Sequence, residues 1–141
     1  MLDDDDLDGV LAVVTLDEIA STWCRYHEVE HEQFEELGPD WWAIDIFFNS
    51  KLFQRPEFYR ALLLKLVEHA SEPVLGNVGA GPLENFVSND EDDLRWIQTE
   101  CAKNPKLRTA LSGVWCARFV SEANMKLLDA AAGIPLARPN T

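Results

Sequence analysis

Three prolines at equal intervals set the strongest limit on how this chain can fold. Pro39, Pro56 and Pro73 are seventeen residues apart. A proline suits only the first turn of a helix, because it has no N–H to donate and its ring clashes with the preceding turn. Seventeen residues accommodate one helix and a tight turn. The intervals between the prolines are therefore predicted to be helices that fold back on one another.

Apolar residues recur at helical spacing, and no segment shows the alternation of a strand. In the first predicted helix they include Ile19, Ala20 and Trp23, which share one face. That helix should begin at a capping box, in which Thr15 and Glu18 satisfy each other's backbone N–H groups. We predict an all-α fold, a compact bundle of about six to seven helices in antiparallel hairpins. Later helices should begin near Pro39, Pro56, Asp90, Pro105 and Ala117, and Gly133 should end the last one.

A glycine-rich run in the middle of the chain predicts a junction between two helices. Gly79 and Gly81 supply backbone freedom for a sharp turn, and Pro82 then fits the first position of the next helix. Glu84 falls at the third helical position, where a carboxylate faces the positive end of the helix dipole. An anion could bind at such a helix start, but no P-loop lysine is present. We interpret Gly79, Gly81, Pro82 and Glu84 as a structural turn.

This run is part of a wider pattern. Residues 79–87 fit G-x-G-P-L-E-x-[LF]-[LV], and residues 100–102, 104–108 and 113–115 supply a following helix pair. The pattern resembles a family of small bacterial domains of unknown function, over about residues 16–116 of this chain. The resemblance implies an all-helical fold and transfers no catalytic residues.

Size and composition indicate one folded domain. The 141 residues suit a single core, and a hydrophobic fraction of 47% with five tryptophans argues against disorder. We expect an acidic disordered tail over residues 1–9, a helical domain over 10–133 and a flexible end over 134–141. Three cysteines without C-x-x-C spacing predict neither disulfides nor a zinc knuckle. Apolar runs are too short to span a bilayer and the start lacks a signal peptide, so we expect a cytoplasmic protein without a cofactor.

The net charge of -13 is concentrated near the start of the chain. Residues 1–37 contain twelve acids and one base, Arg25, a balance of -11, which leaves -2 for the remainder. Direct nucleic-acid binding is disfavoured, because it needs a positive surface that releases counterions from phosphate. The pattern favours a basic protein partner.

The motif His27-Glu28-Val29-Glu30-His31 fits H-E-x-x-H. On a helix its two histidines would share a face and could hold Zn²⁺ for hydrolysis. The surrounding glutamates are atypical of such sites, and the third histidine, His69, lies far along the chain. We favour a solvated acidic helix end, with a metal site at His27 and His31 as the alternative.

The sequence thus predicts a non-enzymatic acidic binding protein, such as a toxin-neutralising immunity protein or an inhibitor of a basic nucleic-acid-acting enzyme. Complementary charge would speed its encounter with such a partner. A zinc-dependent hydrolase and a self-associating helical module are the alternatives. The predicted partner contacts are Asp17, Glu28, Glu30, Glu32, Glu35 and Glu36, with Trp41 or Trp42 as an apolar anchor.

Overall fold

The structure is a computed structural model, and its described residues are 4–28, 38–115 and 120–137. These residues are helical and contain no strand, which confirms the all-α prediction. A lone bridge joins Trp115 to Ala137. Among the described residues, no helix has the length and apolar character needed to cross a bilayer. The helices are α1 (Asp4–Leu11), α2 (Leu16–Glu28), α3 (Trp41–Ile46), α4 (Pro56–His69), α5 (Glu72–Val78), α6 (Glu84–Phe86), α7 (Glu91–Lys103), α8 (Pro105–Leu111) and α9 (Glu122–Ala132).

The chain divides into two compact units, residues 1–74 and 75–141. In the first unit, α2 packs against both α4 and α3. The apolar face predicted for the first helix is buried there, with Ile19 and Ala20 fully enclosed and Trp23 nearly so. The matching face of α4 contributes Leu62 and Leu66. Burying these side chains supplies the main stabilisation of this unit, about 1.5–3 kcal/mol for each large one.

The start of α2 follows the predicted capping box. The Thr15 N–H donates to Glu18 Oε1 at 3.1 Å, and the Glu18 N–H donates to Thr15 Oγ1 at 3.1 Å. Before this cap, Asp4–Leu11 forms a helix, although the sequence predicted a disordered tail and an extended lead-in. Leu7 is fully buried, and this apolar anchor explains why the acidic segment can order.

In the second unit, α7 packs against α8 and α9. Side-chain caps mark the starts of α7 and α8. Asp90 accepts from the Asp93 N–H at 2.9 Å, and Asn104 accepts from the Leu107 N–H at 3.2 Å. These contacts confirm the predicted starts near Asp90 and Pro105. The last helix begins at Glu122, later than the predicted Ala117, and Gly133 ends it with a left-handed φ of 79°.

The glycine-rich run is a π-helical turn, Gly79–Leu83, and the predicted sharp turn with Gly81 as a cap is wrong. Val78 and Glu84 on either side both have right-handed helical dihedrals, so the chain continues as one helix through α5 and α6. The physical reason is Pro82, which cannot donate to the α-helical ladder. The Glu84 N–H instead donates to the Gly79 carbonyl five residues back, a π-type bond that keeps the helix intact.

Candidate partner-binding site

Asp17, the first of the predicted partner contacts, is already held by its own chain. Its Oδ1 lies 3.0 Å from His69 Nε2 and 3.3 Å from Lys65 Nζ. The hydrogen bonds from His69 and then Lys65 lower the pKa of Asp17. This carboxylate links the start of α2 to the end of α4.

Asp17, Glu68 and His69 are close enough to be considered as metal ligands, since one ligand atom from each lies within 4.8 Å of the others. Lys65, however, already places its ammonium between the two carboxylates. Its Nζ lies 3.3 Å from Asp17 and 3.2 Å from Glu68. Because this internal cation already occupies the space between the two carboxylates, the geometry supports a polar contact between helices rather than a metal centre.

At the other end of α2, Arg25 contacts Asp40, the residue that precedes α3. Arg25 donates from Nε to Asp40 Oδ2 at 2.9 Å and from Nη2 to Asp40 Oδ1 at 2.7 Å. Such a bidentate pair fixes geometry as well as charge, and the Arg25 guanidinium lowers the pKa of Asp40. One residue further along each element, the rings of Tyr26 and Trp41 meet at 5.8 Å. We call the part of the chain between these contacts, residues 27–39, the acidic excursion.

This excursion carries most of the predicted contacts. Glu28 is exposed at the end of α2, whereas Glu30, Glu32, Glu35 and Glu36 lie outside the described residues. Each of those four is no more than four residues from Glu28 or Gly38.

Of the two histidines in the alternative zinc site, the structure describes only His27. His27 is half-buried, and its ring lies 4.1 Å from that of Trp23 and 5.4 Å from that of Tyr26. Its described environment is thus one of aromatic packing. His31 lies outside the described residues, so the structure gives no distance between the two histidines.

Aromatic rings form a continuous line through the first unit. Neighbouring centroids in the line are 4.1 to 6.2 Å apart, within the range of favourable ring contacts. The interior rings are packed, but the two terminal ones, Phe48 and Phe53, are 60% and 49% exposed. Trp41 and Trp42 are both half-buried. The line runs through Phe48, Trp41, Tyr26, His27, Trp23, Phe47, Tyr59 and Phe53.

Phe48 is exposed, although its neighbour in the chain, Phe47, is buried. Adjacent residues on a helix point about 100° apart, and here α3 ends at Ile46, so only Phe47 turns inward. The adjacency of the two phenylalanines was the available signal. Phe48 and Trp41, whose rings are 6.1 Å apart, together form what we name the ring pair.

The first unit carries almost all of the net negative charge of the chain. Residues 1–74 contain 17 acids and five bases, a balance of -12, and residues 75–141 account for the remaining -1. Three of those bases are engaged with carboxylates of the same unit: Arg25 with Asp40, Arg55 with Asp8, and Lys65 with Asp17 and Glu68. Even if each base neutralised one acid, twelve acids would have no basic counterpart within the unit.

In the second unit, the residues of the predicted turn have structural tasks. A Cβ on Gly79 would lie 2.1 Å from the Ala110 carbonyl oxygen, so only glycine allows α8 to approach the π-helical turn. Glu84 Oε1 accepts from the Trp115 N–H at 2.7 Å. Arg108 donates twice to the Cys101 carbonyl, at 3.2 and 3.0 Å. These contacts fasten the π-helical turn, α7 and α8 to one another.

Two groups that could act as nucleophiles are kept protonated by their surroundings. Burial raises the pKa of the Cys101 thiol to about 11, with the nearby Arg108 opposing the effect. Burial likewise raises the pKa of Tyr59. A nucleophile needs its pKa lowered or a base beside it, so neither residue supports catalysis.

Comparison with known proteins agrees with the resemblance seen in the sequence. The model of a family of unknown function, DUF6869, matches residues 27–131, which include the ring pair, the excursion from Glu28 and the π-helical turn. No curated protein and no solved structure matches the sequence significantly.

Proposed function

Because this chain belongs to DUF6869, a family of unknown function, we propose its function from the site: it is a non-enzymatic cytoplasmic protein that binds a basic protein partner. The partner class we propose is a toxin or another nucleic-acid-acting enzyme, which this protein would neutralise as an immunity protein or inhibitor. Such enzymes present cationic clefts to phosphate, and an anionic protein surface with an apolar anchor complements a cleft of that kind.

The observation that carries this proposal is the closure at Arg25 and Asp40. It brings the two ends of the acidic excursion together beside the ring pair. Protein interfaces combine these features, with aromatic residues at the centre and charges that steer encounter around them. The excess of acids over bases in the first unit supports the same reading, since internal pairs can neutralise only a minority of the carboxylates.

Binding of a labelled decalysine peptide, measured by fluorescence anisotropy, tests the proposal. A variant with Glu30, Glu32 and Glu35 changed to Gln should bind the peptide at least about threefold more weakly, since exposed charge pairs contribute about 0.2–1 kcal/mol each. Raising salt from about 50 to 500 mM should also weaken binding through screening.

A matched control removes the same charge from the second unit. Glu91→Gln, Asp92→Asn and Glu122→Gln change three exposed acids there, and this variant should keep an affinity within about twofold of the unmodified protein. Equal losses in the two variants, or an affinity that salt does not change, would contradict a partner site at the acidic excursion.

A further inference from the structure

The first helix, α1, has few contacts that hold it to its unit. Among the described helices, α1 packs extensively against none, whereas α2 packs closely against both α3 and α4. Of the side chains described in α1, those of residues 7–11, only that of Leu7 is buried. The next residue, Asp8, accepts a hydrogen bond from Arg55. Segments with little buried contact open before a whole domain unfolds, so we expect α1 to open by itself.

The ion pair between Asp8 and Arg55 lies at the surface, with the two side chains 56% and 36% exposed. Arg55 is itself held in place, because its N–H donates to the Leu52 carbonyl at 3.1 Å and its carbonyl accepts from the Tyr59 N–H at 2.9 Å. Both Leu52 and Tyr59 are buried. Asp8 is therefore the partner that moves when the pair breaks, and salt should weaken the pair by screening.

The helix α1 is also weak on its own. It has eight residues, and isolated helices shorter than about 12 residues are marginal in water. Gly9 lies inside it, where glycine is less favourable than alanine. Nothing lies within 4 Å of a Cβ at Gly9, and its φ is not left-handed. Since neither a close approach nor a turn requires glycine there, the helix depends on Leu7 and Asp8 to stay formed.

The turn between α1 and α2 is suited to act as a hinge. It carries Val13, which is 79% exposed, so this side chain loses no packing when the turn moves. Two residues later, Thr15 begins the capping box with Glu18, and neither of its two hydrogen bonds involves α1. The start of α2 is thus fixed by its own residues, and α1 can leave without disturbing it.

We infer that α1 is a salt-sensitive strap over an apolar site of the first unit. In the closed state, Leu7 fills this site and Asp8 engages Arg55. In the open state, α1 unfolds and leaves the site and the Arg55 guanidinium exposed together, while α2 and α4 stay folded. This device does not depend on the proposed basic partner, because it involves only contacts within the chain.

Thiol labelling of a Leu7→Cys variant by a maleimide tests the inference, with mass spectrometry to locate the label. Cys24, which is buried in α2 of the same unit, reports opening of the unit as a whole. After each rate is divided by its rate in the unfolded chain, the introduced thiol should react at least about tenfold faster than Cys24. Raising salt from about 50 to 500 mM should speed the introduced thiol about twofold further.

Three further substitutions, each made in the Leu7→Cys chain, give the expected directions. Gly9→Ala strengthens the helix and should slow labelling of the introduced thiol about two- to fivefold. Arg55→Met removes the ion pair and should speed it about two- to fivefold. Arg95→Met is the matched control, because it breaks an exposed pair with Asp92 in the second unit, and it should leave the rate unchanged.

The unmodified protein supplies a second measurement that does not shorten Leu7. The Ala12 N–H donates to the Asp8 carbonyl at 3.1 Å, and its hydrogen exchange should be at least about tenfold faster than that of the Trp23 amide in α2. Equal exchange at these two amides, or equal labelling of the introduced thiol and Cys24, would show that α1 opens only with the whole unit. Either result overturns the inference, as does a labelling rate that neither Gly9→Ala nor Arg55→Met changes.

Discussion

Arg25 and Asp40 are joined by two parallel hydrogen bonds of 2.9 and 2.7 Å, although fifteen residues separate them in the chain. The pair ties the body of α2 to the residue that precedes α3. It thereby sets where the acidic excursion begins and ends. A charge-charge contact at the surface usually contributes little to stability, so its main consequence here is positional.

Loss of the Arg25 guanidinium should be visible in the titration of Asp40. Its folded pKa is lowered by Arg25, so the folded protein binds fewer protons than the unfolded chain in the acid range. The stability that the pair provides is therefore present above the ordinary carboxyl pKa of about 3.9 and is lost as pH falls through the lowered value. In Arg25→Met, NMR titration should show the pKa of Asp40 returning towards its ordinary value.

Asp17 is the internal reference for that titration, because its pKa is lowered by His69 and Lys65 rather than by Arg25. Its titration should be the same in both proteins. An unchanged Asp40 titration would mean that the ion pair does not form in solution.

Gly79→Ala should strongly destabilise the second unit. The added Cβ would lie 2.1 Å from the Ala110 carbonyl oxygen, which is backbone and cannot rotate away, so α8 must shift. Overpacking of this kind costs about 1–3 kcal/mol or more. Gly81→Ala is the control, because nothing lies within 4 Å of its Cβ position and its φ is not left-handed. Urea unfolding should show a lower midpoint for Gly79→Ala and an equal or higher one for Gly81→Ala.

The sequence predicted local features of the fold better than contacts between residues that are distant in the chain. Local rules predicted the capping box at Thr15, the helix start near Asp90 and the stop at Gly133, because each depends on residues within one helical turn. The π-helical turn at Pro82 was missed, since its stability depends on α8 packing against Gly79, which lies 31 residues before Ala110. Sequence patterns record such long-range contacts only weakly.

The candidate site was also predicted only in part. Composition located the charge, because charge does not depend on the fold. It could not show that Asp17 is engaged by Lys65 and His69, since α4 supplies both partners from about fifty residues away. The exposed ring of Phe48 likewise follows from where α3 ends, which no periodicity fixed. The contact between Arg25 and Asp40, which places the ends of the acidic excursion beside the ring pair, could not be predicted from the sequence.

Asp17→Asn should affect stability and leave partner binding unchanged. The pKa of Asp17 is lowered by hydrogen bonds from His69 and Lys65, so its stabilising effect is present at neutral pH and lost as pH falls below the ordinary carboxyl range. The variant should melt at a lower temperature at pH 7, and the difference should shrink at about pH 3.

Peptide binding distinguishes this internal role from a contact role. Decalysine affinity should stay within about twofold of the unmodified protein in Asp17→Asn, whereas Glu32→Gln, which removes the same charge from the excursion, should weaken it more. A larger loss of affinity in Asp17→Asn than in Glu32→Gln would return Asp17 to the set of partner contacts.

Glu84 should control the backbone at Trp115. Its Oε1 accepts from the Trp115 N–H at 2.7 Å, and this hydrogen bond should slow exchange of the amide. Glu84→Ala removes the acceptor, and hydrogen exchange at the Trp115 amide should become at least about tenfold faster, since a hydrogen bond to a charged group contributes about 1.5–3 kcal/mol. Glu84→Gln retains a neutral acceptor and should give an intermediate rate. If exchange in Glu84→Ala matches that of the unmodified protein, the bond between Glu84 and Trp115 does not hold this part of the second unit.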